Sequence, residues 1–148
     1  MNESLDKVIA FMHQFKQPIP DHPEFPGFTA ISVRSDYMNS AITDMYESTD
    51  LYEYLEAVVD QIYIALGHAA LAGIGGHAMN LIFDEVHACN MSKLWTEEEY
   101  SKRPINSVSS RVNNHNRCWC IMGPNGKIVK SPSYKPSDLR KLLKERGI

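Results

Sequence analysis

Glu53, Glu56 and Asp60 lie in the stretch YEYLEAVVDQIY, residues 52–63. A helix turns about 100° per residue, so the three carboxylates fall inside a sector of roughly 60°. No basic residue stands four positions on to pair with any of them. Leu51, Leu55, Val58, Val59, Ile62 and Leu66 fall on the opposite side of the wheel, while Ala57, Ile64, Tyr52 and Tyr63 flank the stripe. An acidic stripe is ordinarily a solvated face, but a helix apolar nearly all round is usually buried. Buried carboxylates repel one another unless something positive sits between them. A divalent cation meets that need: Mg²⁺ takes carboxylate oxygens, keeps several waters and grips substrate phosphates. Asp44, and with it Asp36, can add from the preceding helix, because facing helices with inward carboxylates form a natural metal site within a bundle.

A second set lies in DEVHACNMSKL, residues 84–94. Asn90 and Lys93 are three apart and share one helix face. Such a lysine can simply complement the helix dipole, and such an asparagine can simply cap. In the functional reading Lys93 is a cation for phosphate and Asn90 a hydrogen-bond partner for base, sugar or phosphate. Lys127, Lys130, Lys135, Arg140 and Lys141 form a basic set that is either solvated surface or, folded back over the acidic stripe, a phosphate contact. His87, Cys89, His115, Cys118 and Cys120 are zinc-type donors, yet Cys118-Trp119-Cys120 is one residue short of the usual pair spacing. Strand alternation explains those two cysteines as small buried hydrophobes. The glycine stretch AGIGGHA, residues 72–78, lacks the Lys-Ser/Thr of a phosphate loop.

The elements that must position these residues are mostly helical. Residues 4–16 read as a helix through Leu5, Val8, Ile9, Met12 and Phe15, with Ser4 as its cap. QPIPDHPEFPG, with its four prolines, is an extended connector. Helices follow at about 31–46, 51–71 and 79–91, with Asp50 or Thr49 capping the second of these and residues 72–78 a turn. Residues 95–117 are polar and read as irregular or partly helical. RCWCIMGPNGKIVKSPSY reads as a β-hairpin turning at GPNG, and a short helix closes the chain. The fold expected is all-α for the most part: a four-helix bundle over about 4–94, then a polar insertion, small C-terminal β-hairpin and tail over 95–148, all in a single domain of residues 1–148.

The bulk numbers narrow the function. At 148 residues the chain can bury one real core. A net charge of −3 argues against an extended nucleic-acid partner, which needs clustered basic surface, and leaves room for a small phosphorylated ligand. Met1 to Ser4 opens directly into a helical pattern, so no secretory signal is expected. The apolar run at about 62–74 is broken by Gly67, His68 and Gly73 and is too short to span a bilayer, so no membrane partner is expected. Three cysteines, an odd count, suggest a reducing cytoplasm.

Four segments in order, QPIPDHP, DLYEYLEAVVDQIYIALG, FDEVHACNMSKLW and NGKIVKSPSYKPSDL, resemble the MazG-like all-α nucleotide pyrophosphohydrolase superfamily. Within it they are similar to the phosphoribosyl-ATP pyrophosphohydrolase-like proteins of phages and bacteria. The resemblance covers most of residues 5–140, and NMSKL followed by GK-x-x-K-x-P-x-Y-x-P-x-DL is its most specific part. It implies a MazG-like four-helix bundle that hydrolyses a nucleoside triphosphate or related nucleotide to monophosphate and pyrophosphate. It also implies Mg²⁺ as cofactor, with Mn²⁺ as a substitute, a homodimer or homotetramer, and a cytoplasmic setting, the host's if the protein is phage-encoded.

Glu53-x-x-Glu56 falls on the family's ExxD motif with Glu in place of Asp, and Asp60 matches a further family acid. Asn90 and Lys93 fall on its nucleotide and phosphate contacts. The family's EExxE motif is degraded here. One alignment places Ser40, Ala41 and Asp44 on its acids, the other Asp36, Tyr37 and Ser40. The expected set is therefore Glu53 and Glu56 as catalytic residues; Glu53, Glu56, Asp60 and Asp44 as metal ligands; and Asn90, Lys93, Asp36, Lys130 and Tyr134 as substrate-binding residues. The same residues suit a second class, a nucleotide-sequestering protein of this fold without turnover. A third is an interaction module whose acids are structural.

Overall fold

The computed structural model describes residues 2–112 and 116–148. Its described helices are α1 (Asn2–Gln14), α2 (Phe28–Glu47), α3 (Leu51–Leu71), α4 (Gly76–Met91) and α5 (Leu139–Arg146). Its described strands are β1 (Trp95–Thr96), β2 (Val108–Arg111) and β3 (Arg117–Met122). The fold is mostly helical with a small three-stranded antiparallel sheet. The chain divides into two compact units, Met1–Leu81 with Gly147–Ile148 and Ile82–Arg146, so the division falls inside α4.

In the first unit α1 packs on α3. Leu5, Val8 and Met12, spaced to share one face of α1, are buried against Leu66 and Ala70 of α3. Ser4 lies within α1 and is not its cap. The helix ends in a Schellman turn: Lys16 takes the left-handed conformation (φ 53°), its N–H donates to His13 O, and Gln17 N–H donates to Met12 O at 2.8 Å. α2 begins three residues earlier than its apolar pattern indicates, directly after Gly27.

α2 and α3 form an antiparallel hairpin through the short connection 48–50. Asp50 caps α3, its carboxylate accepting from the backbone N–H groups of Tyr52 and Glu53. Gln61 of α3 donates to Ala41 O of α2 at 3.4 Å.

The face of α3 that is buried differs from the expected one. Ala57, Leu66, Gly67, Ala70 and Leu71 are buried, whereas Leu51, Leu55, Val59 and Ile62 are exposed; Leu55, the least exposed of these four, keeps 48% of its surface. The small residues explain it. Ala57 and Ala70 are small enough for neighbouring helices to come close and Gly67 leaves room for the Arg34 side chain, so the close-packed seam runs along them with Leu66 and Leu71 filling it.

α3 also ends in a Schellman turn, with Gly73 at φ 71° and Ile74 N–H donating to Ala69 O. The proline connector lies over this turn, where Glu24 N–H donates to Ala72 O at 3.1 Å. α4 starts at Gly76, so only residues 72–75 form the turn. A Cβ at Gly73 would strike the backbone carbonyl of His22. Gly73→Ala should therefore cost about 1–3 kcal/mol from the backbone conformation alone, and more from the displaced connector. Urea unfolding beside Gly75→Ala, where a Cβ meets nothing within 4 Å, checks it. Equal stability of the two variants would refute the account.

In the second unit the sheet order is β1-β3-β2. The polar segment 95–117 supplies β1 and β2, the two outer strands, instead of an irregular insertion. GPNG does turn the chain, and Met122 bridges to Ile128, but the main partners of β3 lie upstream of it. Pairing between distant segments leaves little trace in the local pattern of a polar strand such as VSSR. Ile121 is fully buried, and Trp95, also buried, donates its indole N–H to Val129 O at 2.9 Å. Hydrogen bonds from the Cys118 thiol and the Trp119 indole hold the Glu97 carboxyl below the usual carboxylate range.

No single described helix is long and apolar enough to cross a membrane.

Candidate functional site

The antiparallel hairpin brings the acids of α2 beside those of α3. Asp44, Glu47, Glu53, Glu56 and Asp60 line one cleft of about 320 Å³, together with Ser48 and Ala57. No basic residue contributes to its lining. Asp44, Glu53, Glu56 and Asp60 are thus assembled as the sequence suggests, but in an open cleft, and all four are exposed. Their expected burial does not occur, because the close-packed side of α3 runs through its small residues. Of the two alignments of the first acidic motif, one puts Asp44 in the cleft; Asp36 is exposed on α2 and does not line it. Ala41 is buried where α2 meets α3.

Glu47 was missed. Its signal was present, since it stands three residues after Asp44 and shares that helix face.

The acids have unequal freedom. Glu53 Oε2 accepts from the Thr49 backbone N–H at 2.8 Å and the Thr49 hydroxyl at 2.9 Å, closing the start of α3 in the manner of a capping box. Part of the stripe is therefore structural. Among the described residues Glu56, Asp60, Asp44 and Glu47 have no side-chain hydrogen-bond partner and no ion pair.

The donor chemistry of the cleft fits Mg²⁺: carboxylate oxygens are hard ligands, and sulfur and imidazole are absent from the lining. The cage is not preformed, for among the described residues no three His, Cys, Asp or Glu side chains stand in a ready-made metal-binding group. This includes the zinc-type set, of which His115 lies outside the described residues.

The remaining expected residues belong to the second unit. Lys93 Nζ donates to Asn90 Oδ1 at 2.6 Å, as their shared helix face requires. The Lys130 ammonium sits 4.3 Å from the centre of the Tyr134 ring. A strap carrying both is pinned to the end of α4. The Ser131 hydroxyl donates to Ser92 O at 2.8 Å, Lys135 N–H donates to Ser92 Oγ at 3.1 Å, and the Tyr134 hydroxyl lies 3.2 Å from the Cys89 sulfur. Arg117 donates to the carbonyls of Ser92 and Leu94, placing a cation at that helix terminus. Lys93, Lys130 and Lys135 are thus tied to one short stretch of backbone around Ser92.

The net charge of −3 hides a partition. Residues 1–81 carry eleven Asp/Glu against three Lys/Arg, while residues 82–146 carry seven against twelve. One unit is strongly acidic and the other basic.

No family model matches the chain, and no curated protein matches it.

Proposed function

We propose that the protein is a Mg²⁺-dependent nucleotide pyrophosphohydrolase of MazG-like fold, splitting a nucleoside triphosphate or related nucleotide into monophosphate and pyrophosphate. The observation that carries this reading is the single cleft lined by five carboxylates from two antiparallel helices. Glu56, Asp60, Asp44 and the free oxygen of Glu53 would hold the ion, with Glu47 beside them. Magnesium supplies charge neutralisation and Lewis acidity at the phosphoanhydride when bound. Glu56, which like Asp60, Asp44 and Glu47 has no protein partner among the described residues and which falls on the acidic motif of the resemblance, would accept a proton from the attacking water. In the second unit, taken by itself, Asn90 and Lys93 stand where the resemblance expects nucleotide and phosphate contacts, and Lys130 beside Tyr134 offers a cation and an aromatic face. Three unpaired cysteines suit a reducing compartment, the cytoplasm.

A second reading, nucleotide sequestration without turnover, is favoured by two observations: α2 brings Ala41 to the helix contact, and one oxygen of Glu53 is committed to capping. The test is a panel of nucleotides with Mg²⁺ or Mn²⁺, read by pyrophosphate release and by binding calorimetry. Turnover supports the hydrolase. Tight binding with intact nucleotide recovered supports sequestration, and neither signal leaves an interaction module with structural acids.

A homodimer or homotetramer is supported by the apolar stripe of Leu51, Leu55, Val59 and Ile62, which recurs along one exposed face of α3. Light scattering should give a multiple of the chain mass for the native protein and the single-chain mass for Val59→Glu. A native protein that is already monomeric would sink this part of the proposal.

A further inference from the structure

Arg34 is the sole arginine of the acidic unit, and it does not line that unit's acidic cleft. It sits on α2, half-buried, and its Nη2 donates to Gln17 Oε1 at 2.7 Å and to the Met12 sulfur at 3.3 Å. The guanidinium lies directly on Gly67 of α3, where any Cβ would collide with Nη1. Glycine within a helix costs about 1 kcal/mol relative to alanine, and here it makes room for the charge. Among the described residues Arg34 has no ion pair, although its unit holds eleven carboxylates against three Lys/Arg. Withdrawing a cation from water without an anion is unfavourable. Burial lowers the pKa of Arg34, and burial together with the Arg34 charge lowers that of His68.

Beside this guanidinium is a cavity of about 400 Å³, whose walls include Met12, Pro18, Val33, Tyr37 and Leu71. A smaller cleft of about 260 Å³ shares Arg34, Gln17 and Tyr37 and reaches Phe11 and Tyr63. Neither shares a residue with the acidic cleft. The combination is that of a small-molecule site: a mostly apolar concavity of suitable size with one convergent charged group. The Schellman turn at Lys16 prepares it by presenting Gln17 to hold Nη2 of the guanidinium, while Nε and Nη1 have no hydrogen-bond partner among the described residues.

We propose that this cavity is a second ligand site, in which Arg34 holds the carboxylate or phosphoryl head of a small amphipathic anion whose apolar body lies against Pro18, Val33 and Tyr37. The inference is independent of the acidic cleft. The alternative is that Arg34 is only a strut between α1, α2 and α3.

The probes are octanoate, phenyl phosphate and neutral octanamide, titrated into the full chain by calorimetry and by NMR of the Arg34 Nε–H group. At least one anion should bind at one site per chain and shift that resonance. Octanamide should bind at least about tenfold more weakly, the loss of one charge-assisted contact. Preference for octanoate assigns a carboxylate head, and preference for phenyl phosphate a phosphoryl head. Arg34→Met should weaken the anion by a similar factor. Should that variant not fold, Gly67→Ala, which displaces only the guanidinium tip, serves the same purpose. The proposal is overturned if neither anion binds, if octanamide binds as well as the anions, or if binding is unchanged in whichever variant folds.

Discussion

Under the proposed hydrolase activity, Glu56→Gln should lower pyrophosphate release by on the order of a hundredfold or more, the scale seen when one preorganised electrostatic group is removed from a catalytic centre. The substitution keeps shape and removes only charge. Glu56 lies in the acidic cleft, is exposed, and has no side-chain partner among the described residues, so nothing in the fold depends on it. Thermal unfolding of the variant should match the native protein. Glu53→Ala gives the contrast. It removes the acceptor of two hydrogen bonds from Thr49 and should lose stability along with activity, by about 0.5–2 kcal/mol on the scale of helix caps. The two carboxylates are three residues apart on one helix, yet one has a structural duty and the other has none. If Glu56→Gln turns over nucleotide as fast as the native protein, the hydrolase reading of the cleft fails. If the native protein binds nucleotide and returns it intact, the sequestering reading stands in its place.

Leu5→Ala and Ile121→Ala each destabilise the protein by about 2–5 kcal/mol, the range for truncating a fully buried large aliphatic residue. Both side chains are fully buried, one in each compact unit. Leu5 contributes to the cluster that joins α1 to Leu66 and Ala70 of α3, and Ile121 lies near the end of β3, the middle strand. Their losses should therefore appear in different places. Hydrogen exchange should accelerate in α1 and α3 for Leu5→Ala, and in β2 and β3 for Ile121→Ala. Uniform acceleration in both variants would mean that the division inside α4 has no energetic counterpart. A loss of under 1 kcal/mol in either would mean that the side chain is not core.

Elements held by local hydrogen bonds were legible in the residues. α3 runs from Leu51 to Leu71 as its periodicity indicates, and Asp50 caps it, because a cap and its N–H partners are two or three residues apart. Leu5, Val8 and Met12 read as one buried stripe for the same reason. Asp44, Glu53, Glu56 and Asp60 could be grouped as one acidic set because a tight turn between two helices forces neighbouring faces together. The two outer strands were not legible. VSSR has no alternating apolar face, and its partner is the strand of Arg117–Met122 further along the chain.

By itself, then, the order of residues determined where α3 runs and how it begins, where the other long helices lie to within about three residues, and that four carboxylates can share one helical hairpin. Folding in three dimensions decided which side of α3 is buried, since small side chains set how near two helices can approach and Leu51, Leu55, Val59 and Ile62 are left outside. It decided that Glu47 joins the cleft and Asp36 does not. It placed Arg34 over Gly67, a pairing of residues far apart in the chain that no local periodicity records. It also located the boundary within α4 that resolves a net charge of −3 into an acidic and a basic unit. Charges are additive along a chain, but their fields act in space, so the sum becomes informative only once the folded boundary is known.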